Sequence, residues 1–163
     1  MESARVADHH DLHRIAELWA DAVAELEGQR GGGLLAHAVL PDGSPLAHLR
    51  AAASRPDDVV AVGLIDEVVV GFGYGRLREA PGERIGVIEA LYVEPDAREV
   101  GVGDAVAGVL VDHFDGLGCD GIDAFALPGN RKAKAFFEGH GFTARLLVMH
   151  RADGRRRSAA GDS

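Results

Sequence analysis

The sequence predicts one mixed α/β domain, a central and mostly antiparallel sheet with helices on both faces. Three observations carry this. A chain of 163 residues, 47% of them apolar, is the size of one domain with one hydrophobic core. Its hydrophobic period changes from helical to strand-like and back along the chain. Its β–α–β passage over residues 85–127 is long enough for a crossover, which joins parallel, right-handed neighbours.

The elements follow in order. Ser3 to Val6 is a short first strand. Asp8 stands where a helix N-cap belongs, with Asp11 as the acidic partner of a capping-box-like pair. Leu12, Ile15, Leu18, Trp19, Ala22, Val23 and Leu26 then recur at helical spacing until Gly28. Gln29 to Gly33 is a glycine-rich break. Pro45 to Ser54 is a second helix, with proline in its first turn, and Pro56-Asp57-Asp58 is a loop. Val59–Ile65 and Val68–Leu77 form a hairpin around Asp66-Glu67. Ile85–Val93 follows a turn at residues 80–83. After Glu94-Pro95-Asp96, one helical face runs through Val102, Val106, Val109, Leu110, Phe114 and Leu117. Ile122–Leu127 is a strand, Pro128-Gly129 a turn, and Asn130 the N-cap of a helix to about Gly139. Phe142–Arg151 closes the sheet as a last strand. The order is β-α-α-β-β-β-α-β-α-β, with the domain over residues 1–152 and an aperiodic tail over 153–163.

Composition excludes several classes. The net charge of −9 argues against a general nucleic-acid binder, which needs a basic surface, and is compatible with an amine or cationic partner. Arg155-Arg156-Arg157 is a solvated basic run in the tail. The apolar runs are strand-length, so no membrane association is expected. The N-terminal residues lack the apolar core of a secretion signal. One cysteine, Cys119, allows no intrachain disulfide, and a reducing cytoplasmic setting is expected. The eight histidines do not fall at metal-ligand spacing with acids, so no metal is expected. His9, His10 and His13 read as exposed.

The sharpest local feature is Arg98-Glu99-Val100-Gly101-Val102-Gly103, between a strand and a helix. Glycines let the backbone approach a ligand, and the first N–H groups of a helix make an anion site. Arg98 adds forked donors suited to phosphate. The competing reading is a glycine loop that binds nothing. A Walker A loop would need Gly-Lys-Ser/Thr where Asp104 follows Gly103, and a dinucleotide fingerprint would need a small residue at Val106. Gly71-Phe72-Gly73-Tyr74-Gly75 lies within a strand, where glycines mark a bulge or close packing.

Arg98-x-x-Gly101-x-Gly103 resembles the pyrophosphate motif of the GNAT superfamily of N-acetyltransferases. Leu91-Tyr92-Val93-Glu94-Pro95 is similar to the end of that family's fourth strand. Asn130 to Phe142, with Ala133, Phe136, Phe137, Glu138 and Gly141, is similar to its cofactor-closing helix and turn. The strong match covers about a third of the chain. The resemblance implies an acetyl-CoA-dependent N-acetyltransferase that acetylates a primary amine of a small molecule, peptide or protein by direct transfer in a ternary complex. It also makes a homodimer a common outcome. It implies that Leu91, Tyr92 and Val93 meet the pantetheine arm and thioester. Arg98, Glu99, Val100, Gly101, Val102, Gly103 and Asp104 would surround the pyrophosphate, with Asn130 and Phe137 closing the site. Asn130 is equally a plain helix cap.

The family often has tyrosine where this chain has Phe137, to protonate the departing thiolate. Phenylalanine cannot do so. Either that acid is dispensable, because a thiol with a pKa of about 8.5 leaves as thiolate, or water or Tyr92 replaces it, or the chain is a catalytically silent acyl-CoA-binding module. A nucleotide-binding domain of another type rests on the glycine loop alone. Glu89, a charge amid Val87, Ile88, Ala90 and Leu91, is the candidate base, since a carboxylate in such a run is functional or paired. Asp123 is the second candidate. His37 and His48 fall where this family shapes its acceptor pocket, although surface or half-buried packing explains either.

Overall fold

The structure is a computed structural model that describes residues 1–40 and 44–153. The chain forms β1 (Glu2–Val6), α1 (Leu12–Glu27), α2 (Gly32–Val39), α3 (Pro45–Ala53), β2 (Val59–Ile65), β3 (Val68–Ala80), β4 (Glu83–Val93), α4 (Val102–Gly116), β5 (Gly121–Ala124) and α5 (Arg131–Gly139). The sheet order is β1-β2-β3-β4-β5. The first four strands are antiparallel neighbours, and β5 joins β4 in parallel, as the crossover predicts.

Both faces of the sheet are covered, which is why β2 reads as an almost unbroken apolar run. On one face Ile15, Leu18 and Trp19 of α1 and Leu49 of α3 meet Val60, Val62, Phe72 and Tyr74. On the other, Val102, Val106, Leu110 and Phe114 of α4 meet Val59, Ala61, Ile88 and Val93. The β3 glycines let α4 sit close to the sheet. A Cβ at Gly73 would lie 2.7 Å from Val106 Cγ1, and one at Gly75 would lie 2.7 Å from Phe114 Cζ. The hairpin turn at Asp66-Glu67 has both residues at positive φ, as a tight two-residue connection requires.

Four expectations are corrected. Residues 29–33 are not merely a break, because Gly31, at φ 79°, caps the additional helix α2. Gly32 then packs so tightly that a Cβ would lie 1.6 Å from the Leu26 carbonyl oxygen. The first helix is capped by Asp11 rather than Asp8. The carboxylate of Asp11 does reach back to the Asp8 amide at 2.8 Å, and it also takes Arg5 Nη1 at 2.7 Å. The fifth strand stops at Ala124 instead of Leu127, because its pairing with β4 ends there. Residues 142–151 form no strand, and Leu146, Leu147, Val148 and Met149 stand exposed. An apolar run becomes a strand only where a neighbour supplies ladder hydrogen bonds, and none pairs with it among the described residues. The tail expected from residue 153, including Arg155-Arg156-Arg157, lies outside the described residues except for Asp153.

Candidate active site

The site is built on an irregularity in β4. Tyr74 pairs with Ala90 and Gly75 with Ile88, so Glu89 is the extra residue of a β-bulge. A bulge re-aims side chains and ends regular pairing. Both follow here. Glu89 and Ala90 fall on the α1/α3 face together, and the β4–β5 ladder stops one residue earlier, at Ile88 opposite Ala124. Beyond that point the two strands diverge. A cleft of about 140 Å³ lies between them, lined by Glu89 to Tyr92, Phe125 to Leu127, Asn130 and Phe137.

Glu89 also lines a second cavity of about 470 Å³, with Asp58, Tyr74, Arg55, Arg76 and His48. Its side chain is only 9% exposed and accepts a hydrogen bond from Arg76 Nε. Burial pushes its carboxyl above the usual value, and the Arg76 guanidinium opposes that rise without cancelling it. Of the two readings of Glu89, paired or functional, pairing is therefore satisfied. Burial alone no longer argues for function, and the position where the two cavities meet does. Asp58, also 9% exposed, accepts from Arg55 Nε at 2.9 Å and from the Tyr74 hydroxyl at 2.8 Å. Burial followed by this bond raises the Tyr74 phenol strongly.

The loop before α4 turns through two left-handed residues, Glu99 at φ 68° and Gly101 at φ 97°. Gly101 is the N-cap, and no side chain caps the first amides of α4. Those amides are the orphan donors that suit an anion. Gly103 faces α5, where a Cβ would lie 3.3 Å from the Phe136 ring. Asp104 and His140 Nε2 are 2.8 Å apart, and Lys132 lies 3.9 Å from Glu99, so α5 docks onto the loop. This donor set fits a pyrophosphate.

Arg98 is placed differently from the expected phosphate ligand. Its Nε donates to the Val93 carbonyl at 2.8 Å and its Nη2 to Glu25 at 2.7 Å, while the guanidinium lies over the Tyr92 ring. The Val93 carbonyl is thus used internally, and Leu91 lines the cleft. Asn130 does cap α5, accepting from the Ala133 amide at 3.0 Å. Asn130 also lines the cleft. Phe137 packs against Phe136 and Phe142. Tyr92 lines the cleft, and burial is the first cause that raises its phenol.

Asp123 is not poised as a base. Arg145 Nε bonds one of its oxygens at 2.8 Å, Arg145 Nη2 bonds the other, and Arg78 adds a third contact at 3.4 Å. These cations lower its carboxyl. His37 is exposed, as are His9, His10 and His13. His48 lines the second cavity and meets Trp19 and Tyr74 edge-on. Sequence reasoning missed Asp58, Arg55 and Arg76. The period-2 alternation of β3 places Arg76 on the face of Tyr74, so one of these had a legible signal. The Asp58 loop had none.

The acetyltransferase (GNAT) family model matches residues 34–142, well over half of the chain. No curated protein matches the sequence significantly. Similar solved structures include a transcriptional regulator from Bacillus halodurans C-125, with 21% identity, 92% of this chain and 99% of that one covered, and a TM-score of 0.71. An acetyltransferase of Trypanosoma brucei shares 22% identity over 93% and 99%, with a TM-score of 0.68. AAC(6')-Iy, in complex with the bisubstrate analogue CoA-S-monomethyl-acetylneamine, shares 15% over 94% and 99%, with a TM-score of 0.70. At these identities the likenesses establish the fold alone.

Proposed function

The chain belongs to the acetyltransferase (GNAT) family, whose members use acetyl-CoA, and from that membership we propose that it is an N-acetyltransferase acting on a primary amine by direct transfer in a ternary complex. The observation that carries this reading is the bulge that sets Glu89 where the two cavities meet. One cavity is the cleft between diverging strands, and the other has the size of a small-molecule pocket.

Bound acetyl-CoA would supply an acetyl group as a thioester. The amides of the loop and first turn of α4, from Val100 to Gly103, would hold its pyrophosphate. The Leu91 backbone, the Val93 N–H and the Asn130 amide would line the pantetheine arm. Phe137, with Phe136 and Phe142, would keep that end of the cleft dry. Arg98 positions this machinery instead of gripping phosphate, since it ties the end of β4 to Glu25 of α1.

Glu89 would take the proton of the acceptor ammonium, directly or through water. A carboxylate raised by burial is a stronger base than an ordinary one, and the Arg76 guanidinium limits that rise. Tyr92 is the one phenol in the cleft, because the Tyr74 hydroxyl is bound to Asp58. Its raised phenol makes it a weak proton donor, so the thiol would leave largely as thiolate. The acceptor is a small molecule or peptide. No described helix is long and apolar enough to cross a membrane.

The deciding experiment is thermal unfolding with acetyl-CoA, NAD or ATP, followed by thiol release on addition of amines. A ligand at about 100 times its Kd adds about 2.7 kcal/mol, a midpoint rise of roughly 5–10 °C at this size. A rise with acetyl-CoA alone and amine-dependent thiol release are expected. An equal rise with ATP, or none with acetyl-CoA, would refute the reading.

A further inference from the structure

The large cavity beside Glu89 has a charge arrangement that differs from that of the chain as a whole. A net charge of −9 suggests a cationic partner. Inside the cavity, however, the two carboxylates are buried and already paired, Glu89 with Arg76 and Asp58 with Arg55. The guanidiniums are the exposed members, 54% for Arg76 and 52% for Arg55. Each is held through Nε alone, so the Nη atoms make no hydrogen bond among the described residues. Arg55 and Arg76 both line the same cavity. A guanidinium fixed at Nε, with its Nη edge open to a pocket, is a preorganised donor for a carboxylate or phosphate.

We propose that Arg55 and Arg76 form an anion clamp in the acceptor pocket, so that the acceptor is a small amine that also carries a carboxylate or phosphate group. This rests on reading Glu89 as the place where the amine is deprotonated. The amine end lies at Glu89, and the anionic end meets the Nη edges. Glu89 serves the single amine end, and Asp58 is taken by Arg55 and Tyr74, whereas two open guanidinium edges offer an anion several charge-assisted hydrogen bonds. A cavity of about 470 Å³ accommodates such a molecule whole.

The test compares matched amines at saturating acetyl-CoA: phosphoethanolamine against ethanolamine, β-alanine against β-alaninamide, and putrescine as the dication. At least one anionic amine should exceed its neutral counterpart in kcat/KM by about tenfold or more, and which one does so distinguishes phosphate from carboxylate. Arg55→Gln should cut that preference about tenfold or more, the range for a lost charge-assisted hydrogen bond. Arg55→Glu should reverse it toward putrescine, and both variants should keep a cooperative thermal transition. A preference for neutral amines or putrescine in the wild type would overturn the clamp.

Calorimetric titration of phosphoethanolamine and β-alanine into the CoA-loaded protein reads the clamp without turnover. If acetyl-CoA raises the midpoint but neither anionic amine binds, the clamp is wrong and the donor site stands. If acetyl-CoA does not bind, the reading of the donor site fails. Titration of the unloaded protein then decides the clamp alone. Binding lost in Arg55→Gln supports it, and no binding overturns it.

Discussion

Replacing Glu89 by glutamine should separate activity from stability. Burial holds the folded carboxyl above its unfolded value, so the fold favours the protonated form. That contribution is present below the unfolded pKa and is lost as pH rises through the folded one. Above the unfolded pKa the Glu89 carboxyl is therefore a net cost, which glutamine removes. That net rise already contains the opposing pair with Arg76, and the loss of the pair is small. Arg76 is 54% exposed and returns to water when unpaired, so the pair contributes about 0–1 kcal/mol. The midpoint should stay within about 4 °C of wild type or rise, given roughly 2–4 °C per kcal/mol at this size. Turnover should fall about 10²–10⁴-fold, the usual contribution of a positioned base.

The assays are a thermal melt and thiol release with the best amine over a pH series. In the wild type, kcat/KM should climb with pH through the Glu89 titration, because the ionised form is the active one, and that limb should vanish in Glu89→Gln. Turnover within tenfold of wild type would remove Glu89 from the chemistry. A midpoint drop beyond about 10 °C would make it a structural carboxylate instead.

Four further outcomes are expected. Gly103→Glu would set a carboxylate at the first turn of α4 against the Phe136 ring, and should abolish the acetyl-CoA-dependent midpoint rise; an undiminished rise would displace the cradle. Phe137→Tyr should leave kcat equal or raise it, and a large loss would reveal that packing against Phe136 and Phe142 dominates. Tyr92→Phe should change kcat less than about tenfold, a smaller effect than a committed general acid would show; a larger drop would make Tyr92 the proton donor. Gly86→Ala would place a methyl 2.3 Å from Phe114 Cγ, and should lower stability by about 1–3 kcal/mol or more, read as a shifted denaturant midpoint; an unshifted midpoint would mean that α4 moves freely on the sheet.

What the sequence determined by itself was local. The helical face from Leu12 to Leu26 and the strands on either side of Asp66-Glu67 are written in their hydrophobic periods. The Asn130 cap is written in residue type, as is the glycine loop at residues 101–103, because caps and left-handed turns select among few side chains. The resemblance built on those motifs reached the family, and Glu89 stood out as a charge inside an apolar run. What only the tertiary structure decided was pairing. The bulge at Glu89 exists because ten β4 pairings with β3 skip one residue, and a skipped pairing leaves no mark in composition. Arg55 and Asp58 are only three residues apart, but their roles, like that of Arg76, follow from the cavity that Tyr74 and Glu89 complete, which no local spacing records. Arg98 turned from the expected phosphate toward Glu25, 73 residues away, because charge pairing is settled by distance in space. Residues 142–151 carry the composition of a strand and are not one, since a strand is completed by its neighbour's hydrogen bonds.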